Sequence, residues 1–141
     1  MSRDALIFYS EFDDPKAWKK TLIEELPDLD FHTDPNAVDP ATVHYALAWK
    51  PPAGFFGRFP NLKLVTNLGA GVDHLLADPA LPAVPVARAV HPDLTMRMTE
   101  YVVLHVLLQH RRQRRYDAQQ RARIWAGLPQ PAASEVAVGL M

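Results

Sequence analysis

Along the first ninety positions the apolar residues fall in short continuous runs separated by polar, proline-containing stretches. Ala5-Leu6-Ile7-Phe8-Tyr9 is the first run, and its β-favouring residues predict a buried strand. Asp13 or Asp14 is placed to cap the next segment, with Pro15 suited to a first helical turn. Trp18, Leu22 and Leu26 recur every four residues with Ile23 beside them, which predicts an amphipathic helix ending near Pro27. Further strands are predicted at Leu29 to His32, Tyr45 to Trp49, Leu62 to Asn67 and Val84 to Arg88. The segment from Thr33 to Thr42 reads as a loop, and Pro51-Pro52 stops the third strand. Continuous apolar strands alternating with helix-length segments favour an α/β fold, a parallel sheet covered on both faces.

The pattern changes at Leu94. From there to about Trp125 the chain holds neither proline nor glycine, which predicts one long helix, with a break near the arginines as the one interruption. Its first half, around Tyr101-Val102-Val103-Leu104 and Val106-Leu107-Leu108, is apolar around nearly its whole circumference and needs cover on more than one side. Another domain or another copy of the chain would supply it, so a dimer or a swapped assembly through the 94–125 helix is expected. Glu135 to Met141 reads as a sixth strand that the chain leaves just begun.

Composition sharpens this picture in three places. With 141 residues, 48% hydrophobic and 22% charged, the chain is long enough to bury a core without a metal or a disulfide. It has no cysteine, which excludes disulfides and thiolate catalysis. Absence of a membrane-length apolar run and of a signal-like N-terminus points to the cytoplasm. Thirteen prolines against six glycines argue against a complete nucleotide-binding enzyme, which needs several glycines in one place. Charge is uneven: residues 1–40 are net −6, residues 41–89 net +2 and residues 90–141 net +3, with six arginines between Arg111 and Arg123. That basic segment reads as a solvated helix face, or else as a nucleic-acid footprint that the acidic first forty residues disfavour.

The stretch richest in chemistry is Leu64-Val65-Thr66-Asn67-Leu68-Gly69-Ala70-Gly71-Val72-Asp73-His74-Leu75. A strand runs into two glycines and then into a short helix opening at Val72-Asp73, an arrangement that bares backbone amides to an anion. Two glycines also make an ordinary tight turn, so the surroundings have to decide. Lys50 and Arg88, at strand ends, either attract the same anion or are solvated surface cations. Trp49 reads equally as a pocket wall and as a core residue closing a strand. His32, His44, His74, His91, His105 and His110 show no metal-ligand spacing backed by a third ligand.

Taken in order, Ala48-Trp49-Lys50-Pro51-Pro52, Leu68-Gly69-Ala70-Gly71-Val72-Asp73, Met98-Thr99-Glu100-Tyr101-Val102-Val103, Arg111-Arg112, Tyr116, Gln119-Gln120, Trp125 and Leu128-Pro129 resemble the D-isomer-specific 2-hydroxyacid dehydrogenases, most closely the glyoxylate/hydroxypyruvate reductase A type. The resemblance runs from about Tyr45 to Met141 and more loosely before that. It implies a flavodoxin-like substrate-binding (catalytic) domain over residues 1–92. Residues 93–141 would be an interdomain and dimerisation helix followed by the first strand of a truncated Rossmann domain. It implies that Gly69, Ala70, Gly71 and Val72 present amides to a substrate carboxylate and that Trp49 lines the pocket. The segment from Leu94 to Met98 would lie near the nicotinamide end of a cofactor, NAD or NADP in a full-length parent. The substrate would be a small 2-oxo acid, glyoxylate or hydroxypyruvate.

The glycine-rich dinucleotide turn and the family's catalytic arginine, acid and histidine would fall beyond Met141. The chain alone is therefore expected to bind no dinucleotide and to be inactive, and no catalytic residue is assigned. A competing reading is a flavodoxin-like binding or signalling module without catalysis. Glu11, Asp13 and Asp14 follow the first strand as a receiver's acids would, but Trp49-Lys50 and Arg88-Ala89 stand where a receiver needs an aspartate and a lysine.

Overall fold

Strand β1 (Ala5–Tyr9) is the axis of a five-stranded, all-parallel sheet in the computed structural model, which describes residues 4–139. It pairs with β2 (Asp30–His32) on one side and β3 (Val43–Ala48) on the other. Beyond β3 lie β4 (Leu64–Asn67) and β5 (Val86–Arg88), giving the order β2-β1-β3-β4-β5. This is the flavodoxin-like order of a doubly wound sheet. The register of β1 against β3 shifts between Ala5 and Leu6. The chain divides into two units, Met1–Val90 and His91–Met141.

In the first unit, alternation along each strand builds two cores. Ala5 and Ile7 face one side with Val43, Ala46, Ala48 and Val65. Leu6 and Phe8 face the other with Leu47 and Phe31. Helix α1 (Pro15–Glu25) covers the second side through Trp18 and Leu22. Asp14 is its cap, accepting from the Lys16 amide at 3.0 Å, while Asp13 instead receives the Ser10 hydroxyl at 2.6 Å. The first side is covered by a segment whose pattern predicts no element. Phe55, Phe56 and Phe59 fold around a 3-10 turn at Phe56–Arg58 and are at most 5% exposed. Phe55 packs edge-on against Phe56 and Phe59 and at a tilt against Tyr9. The short helix α2 (Asp73–Leu76) adds Leu75 to the same core.

The second unit opens with α3 (Pro92–His110), where His91 Nδ1 accepts from the Asp93 amide at 3.2 Å. The helix expected from Leu94 to Trp125 breaks near the arginines, as expected, and stops short of Trp125. Helix α3 stops at His110, Arg112 turns left-handed with φ 54°, and α4 runs over Gln113–Arg121. Arg111, Arg112, Arg114 and Arg115 would stack like charges three and four residues apart on a continuous helix, which disfavours one. Arg123, also at φ 54°, keeps α4 from reaching Trp125. Tyr116 then holds the returning chain: its hydroxyl accepts from the Leu128 amide at 3.1 Å and from Gln130 Nε2 at 3.2 Å.

The strand expected from Glu135 is not formed over the described residues. A 3-10 turn occupies Ala133–Glu135, Val136 is extended, and residues 136–139 pair with no neighbour. An extended segment becomes a strand only against a hydrogen-bonding partner. Leu140 and Met141 lie outside the described residues. Among the described residues no helix is long and apolar enough to cross a membrane.

Candidate functional site

In an open parallel sheet, ligands gather at the carboxyl ends of the strands. Here those ends carry Tyr9 on β1, Trp49 and Lys50 after β3, the loop Gly69–Val72 after β4, and Arg88 on β5. Trp49 is tied down by its amide, which donates to the Tyr9 carbonyl at 2.8 Å. Its ring meets His74 edge-on at 5.3 Å between centroids, and Lys50 Nζ lies 5.5 Å from its centre. Lys50 adopts φ 45° although it is not glycine and precedes a proline, so the chain leaves β3 through a strained residue. The Tyr9 hydroxyl donates to Glu11 at 3.2 Å, and partial burial followed by that acid pushes its phenol above the usual 10.

The loop itself has a consistent polarity. Asn67, the last residue of β4, is fully buried. Its Nδ2 donates to the Gly69 carbonyl at 2.9 Å and to the Gly71 carbonyl at 2.7 Å. The Gly69 carbonyl also accepts from the Ala89 amide at 3.2 Å, and the Ala70 carbonyl from Arg88 Nη1 at 3.1 Å. All three carbonyls are therefore engaged by protein donors. Among the described residues, the amides of Gly69, Ala70, Gly71 and Val72 donate to no acceptor. Successive backbone amides left without a protein acceptor, beside carbonyls taken by protein donors, are the kind of arrangement that can receive an oxyanion.

The two glycines differ. A Cβ on Gly69 would lie 2.0 Å from Trp49 Cζ3, so only glycine lets the loop sit against the indole. A Cβ on Gly71 would meet nothing closer than Asp73 Oδ2 at 3.9 Å.

Of the residues singled out in the sequence, Trp49, Gly69, Ala70, Gly71 and Val72 come together at this edge. Leu94 and Met98 lie in the second unit on the first turns of α3, both exposed. Sequence reasoning missed Asn67 and His74. The signal for Asn67 was present, since a polar residue inside an apolar strand and next to a glycine turn needs a buried partner.

The glycine loop does not fit a dinucleotide. The spacing Gly69-x-Gly71-x-x-His74 puts an imidazole where close helix–strand packing requires a third glycine, and α2 is a single turn of four residues. Among the described residues no group of three His, Asp or Glu side chains is arranged to hold a metal ion.

No family model matches the chain. A curated relative, glyoxylate/hydroxypyruvate reductase A of Yersinia enterocolitica, is 33% identical over 142 residues, covering 96% of this chain and 45% of its own length. A solved D-isomer specific 2-hydroxyacid dehydrogenase of Xanthobacter autotrophicus, in complex with NADPH and MES, superposes with a TM-score of 0.81. It is 42% identical over 95% of this chain and 44% of its own. The NADPH-dependent glyoxylate/hydroxypyruvate reductase of Sinorhizobium meliloti, in complex with NADP and sulfate, gives a TM-score of 0.76 at 36% identity, with 94% and 43% covered. The chain spans a little under half the length of these relatives. Over nearly its whole length the chain is similar in sequence and in fold to part of the D-isomer-specific 2-hydroxyacid dehydrogenases.

Proposed function

We propose that this chain is the substrate-binding part of an NADP-dependent, cytoplasmic reductase acting on a small 2-oxo acid, glyoxylate or hydroxypyruvate. Residues 1–92 would form the substrate domain and residues 93–141 the interdomain and dimerisation segment. The observation that carries the reading is the loop Gly69–Val72, whose carbonyls at 69, 70 and 71 are taken by protein donors while its amides have no protein acceptor among the described residues. A carboxylate set in that cradle is held by backbone donors that need no rearrangement, which fixes the adjacent carbonyl carbon in one orientation. Trp49 walls the site on one side. Lys50 and Arg88 add positive charge at the same sheet edge and favour an anion over a neutral aldehyde.

A reductase of this kind draws its hydride from a nicotinamide cofactor, for which these residues form no cradle. Leu94 and Met98 would contribute apolar wall only. The chain by itself is therefore expected to bind substrate and to turn nothing over. Exposed Met96, Tyr101, Val103, Leu104 and Leu107 on α3 support a second copy of the chain as the partner that covers this helix.

Saturation-transfer NMR on the 141-residue chain tests the reading. Glyoxylate and hydroxypyruvate should receive saturation from the protein, whereas glycolaldehyde, which lacks the carboxylate, should not. Equal transfer to all three, or to none, would overturn it. NADPH oxidation by the chain alone with glyoxylate would overturn the expected inactivity.

A further inference from the structure

Asn67 is the one polar residue among the buried side chains of the described structure, and its 0% exposure places a carboxamide where an apolar side chain would ordinarily sit. A buried amide is costly unless its hydrogen bonds are made. Asn67 makes only those that point into the loop. Nδ2 reaches the Gly69 and Gly71 carbonyls, while buried Oδ1 has no partner. A side chain retained for stability alone would be expected to satisfy both ends. This one is satisfied only toward the turn.

The consequence is geometric. With two carbonyls, at positions 69 and 71, pulled toward one nitrogen, and the carbonyl between them held by Arg88, the peptide planes from 69 to 72 cannot flip without breaking a bond to a protein donor. The Arg88 contact is exposed and the Asn67 contacts are not, so the latter are the firmer hold. From these contacts we infer that Asn67 is a positioning residue: its buried carboxamide holds the Gly69–Val72 loop with amides outward, and anion affinity at the loop depends on it. The inference rests on the carboxylate-binding reading above for its ligand, but not for its effect on the loop.

The test uses the 15N-labelled 141-residue chain, its backbone amide spectrum, and glyoxylate as the probe. Asn67→Leu removes the donor without adding charge and keeps the site filled, so the fold is retained. In Asn67→Leu the amide resonances of Gly69 to Val72 should move and lose order without ligand, while those of Ile7, Ala46 and Val65 hold their positions. Glyoxylate affinity should fall about tenfold. Asn67→Asp, which matches the shape but sets a carboxylate against two carbonyls, should give the same loop response and serves if the leucine variant does not fold. Leu62→Ala, which weakens the core away from the loop, should lower thermal stability while leaving the loop resonances and the affinity unchanged.

Unchanged loop resonances in both Asn67 variants would overturn the inference. So would an affinity loss in Leu62→Ala equal to that in Asn67→Leu, since Asn67 would then act through stability alone. If the wild-type chain ignores glyoxylate but its loop responds to Asn67→Leu, the positioning role stands and the substrate reading falls.

Discussion

Gly69 sits flush against the indole of Trp49, so close that a methyl group on Gly69 would overlap the ring at 2.0 Å. Two positions separated by a strand and a long connection are thereby made one surface. The glycine is required by that contact and not by its backbone angle, because Gly69 is not among the residues at positive φ.

Gly69→Ala should therefore force the indole or the loop to move and cost about 1–3 kcal/mol, as overpacking does. Gly71→Ala has open space and no positive φ. It should change stability by about 0.5 kcal/mol or less, since it also restricts the unfolded chain. Urea denaturation of the two variants measures both. Equal losses would show that the indole does not confine Gly69.

Phe56 and Phe59, 1% and 2% exposed, hold the connection between β3 and β4 onto the sheet. Replacing either by alanine removes a large buried ring and leaves a cavity, so each substitution should cost about 3–5 kcal/mol. Denaturant titration checks it, and a loss under about 1 kcal/mol would mean that the aromatic cluster collapses onto itself.

Asp4 is paired with His44 and lies 3.7 Å from Lys63. The His44 hydrogen bond, with a smaller contribution from Lys63, holds its carboxyl below the ordinary 3.8 against some desolvation. A lowered carboxyl in the folded state stabilises it at any pH above 3.8, and that contribution disappears as the pH falls through the lowered value. Asp4→Asn should thus melt below the wild type at neutral pH, with the two curves converging in strong acid. Thermal melts as a function of pH measure this; a gap that persists to the lowest pH would assign the effect to packing.

The Tyr116 hydroxyl is the tie between α4 and the chain returning at Leu128 and Gln130. Tyr116→Phe should release that segment and speed tryptic cleavage after Arg123, at a cost of about 1 kcal/mol. Unchanged cleavage kinetics would contradict the tie.

How much was legible in the sequence follows from what kind of contact each element depends on. The five strands and α1 were readable because their burial is periodic and local: Ala5, Ile7 and Val65 face one core, Leu6 and Phe8 the other. The 3-10 turn Phe56–Arg58 with its flanking Phe55 and Phe59 was not, because three aromatics in a glycine- and proline-containing stretch carry no period and take their place from Tyr9 and the sheet. The break at Arg112 was foreshadowed by charge, though not by any helix-breaking residue. Glu135 to Met141 reads as a strand by composition, yet a strand also requires a neighbour, and residues 136–139 have none among the described residues. At the candidate site the glycines, Trp49 and the direction of the loop were visible in the motif. Asn67, the buried donor to two of the loop's carbonyls, was hidden as one polar residue ending an apolar strand.

The most direct test of the account is a glyoxylate titration of the 15N-labelled chain, read at the backbone amides. If the loop is the carboxylate cradle, the amides of Gly69, Ala70, Gly71 and Val72 shift together along one saturable curve, and Gly69→Ala abolishes the response. Saturable shifts centred on the Arg111 to Arg123 segment, with the loop amides unmoved, would contradict it.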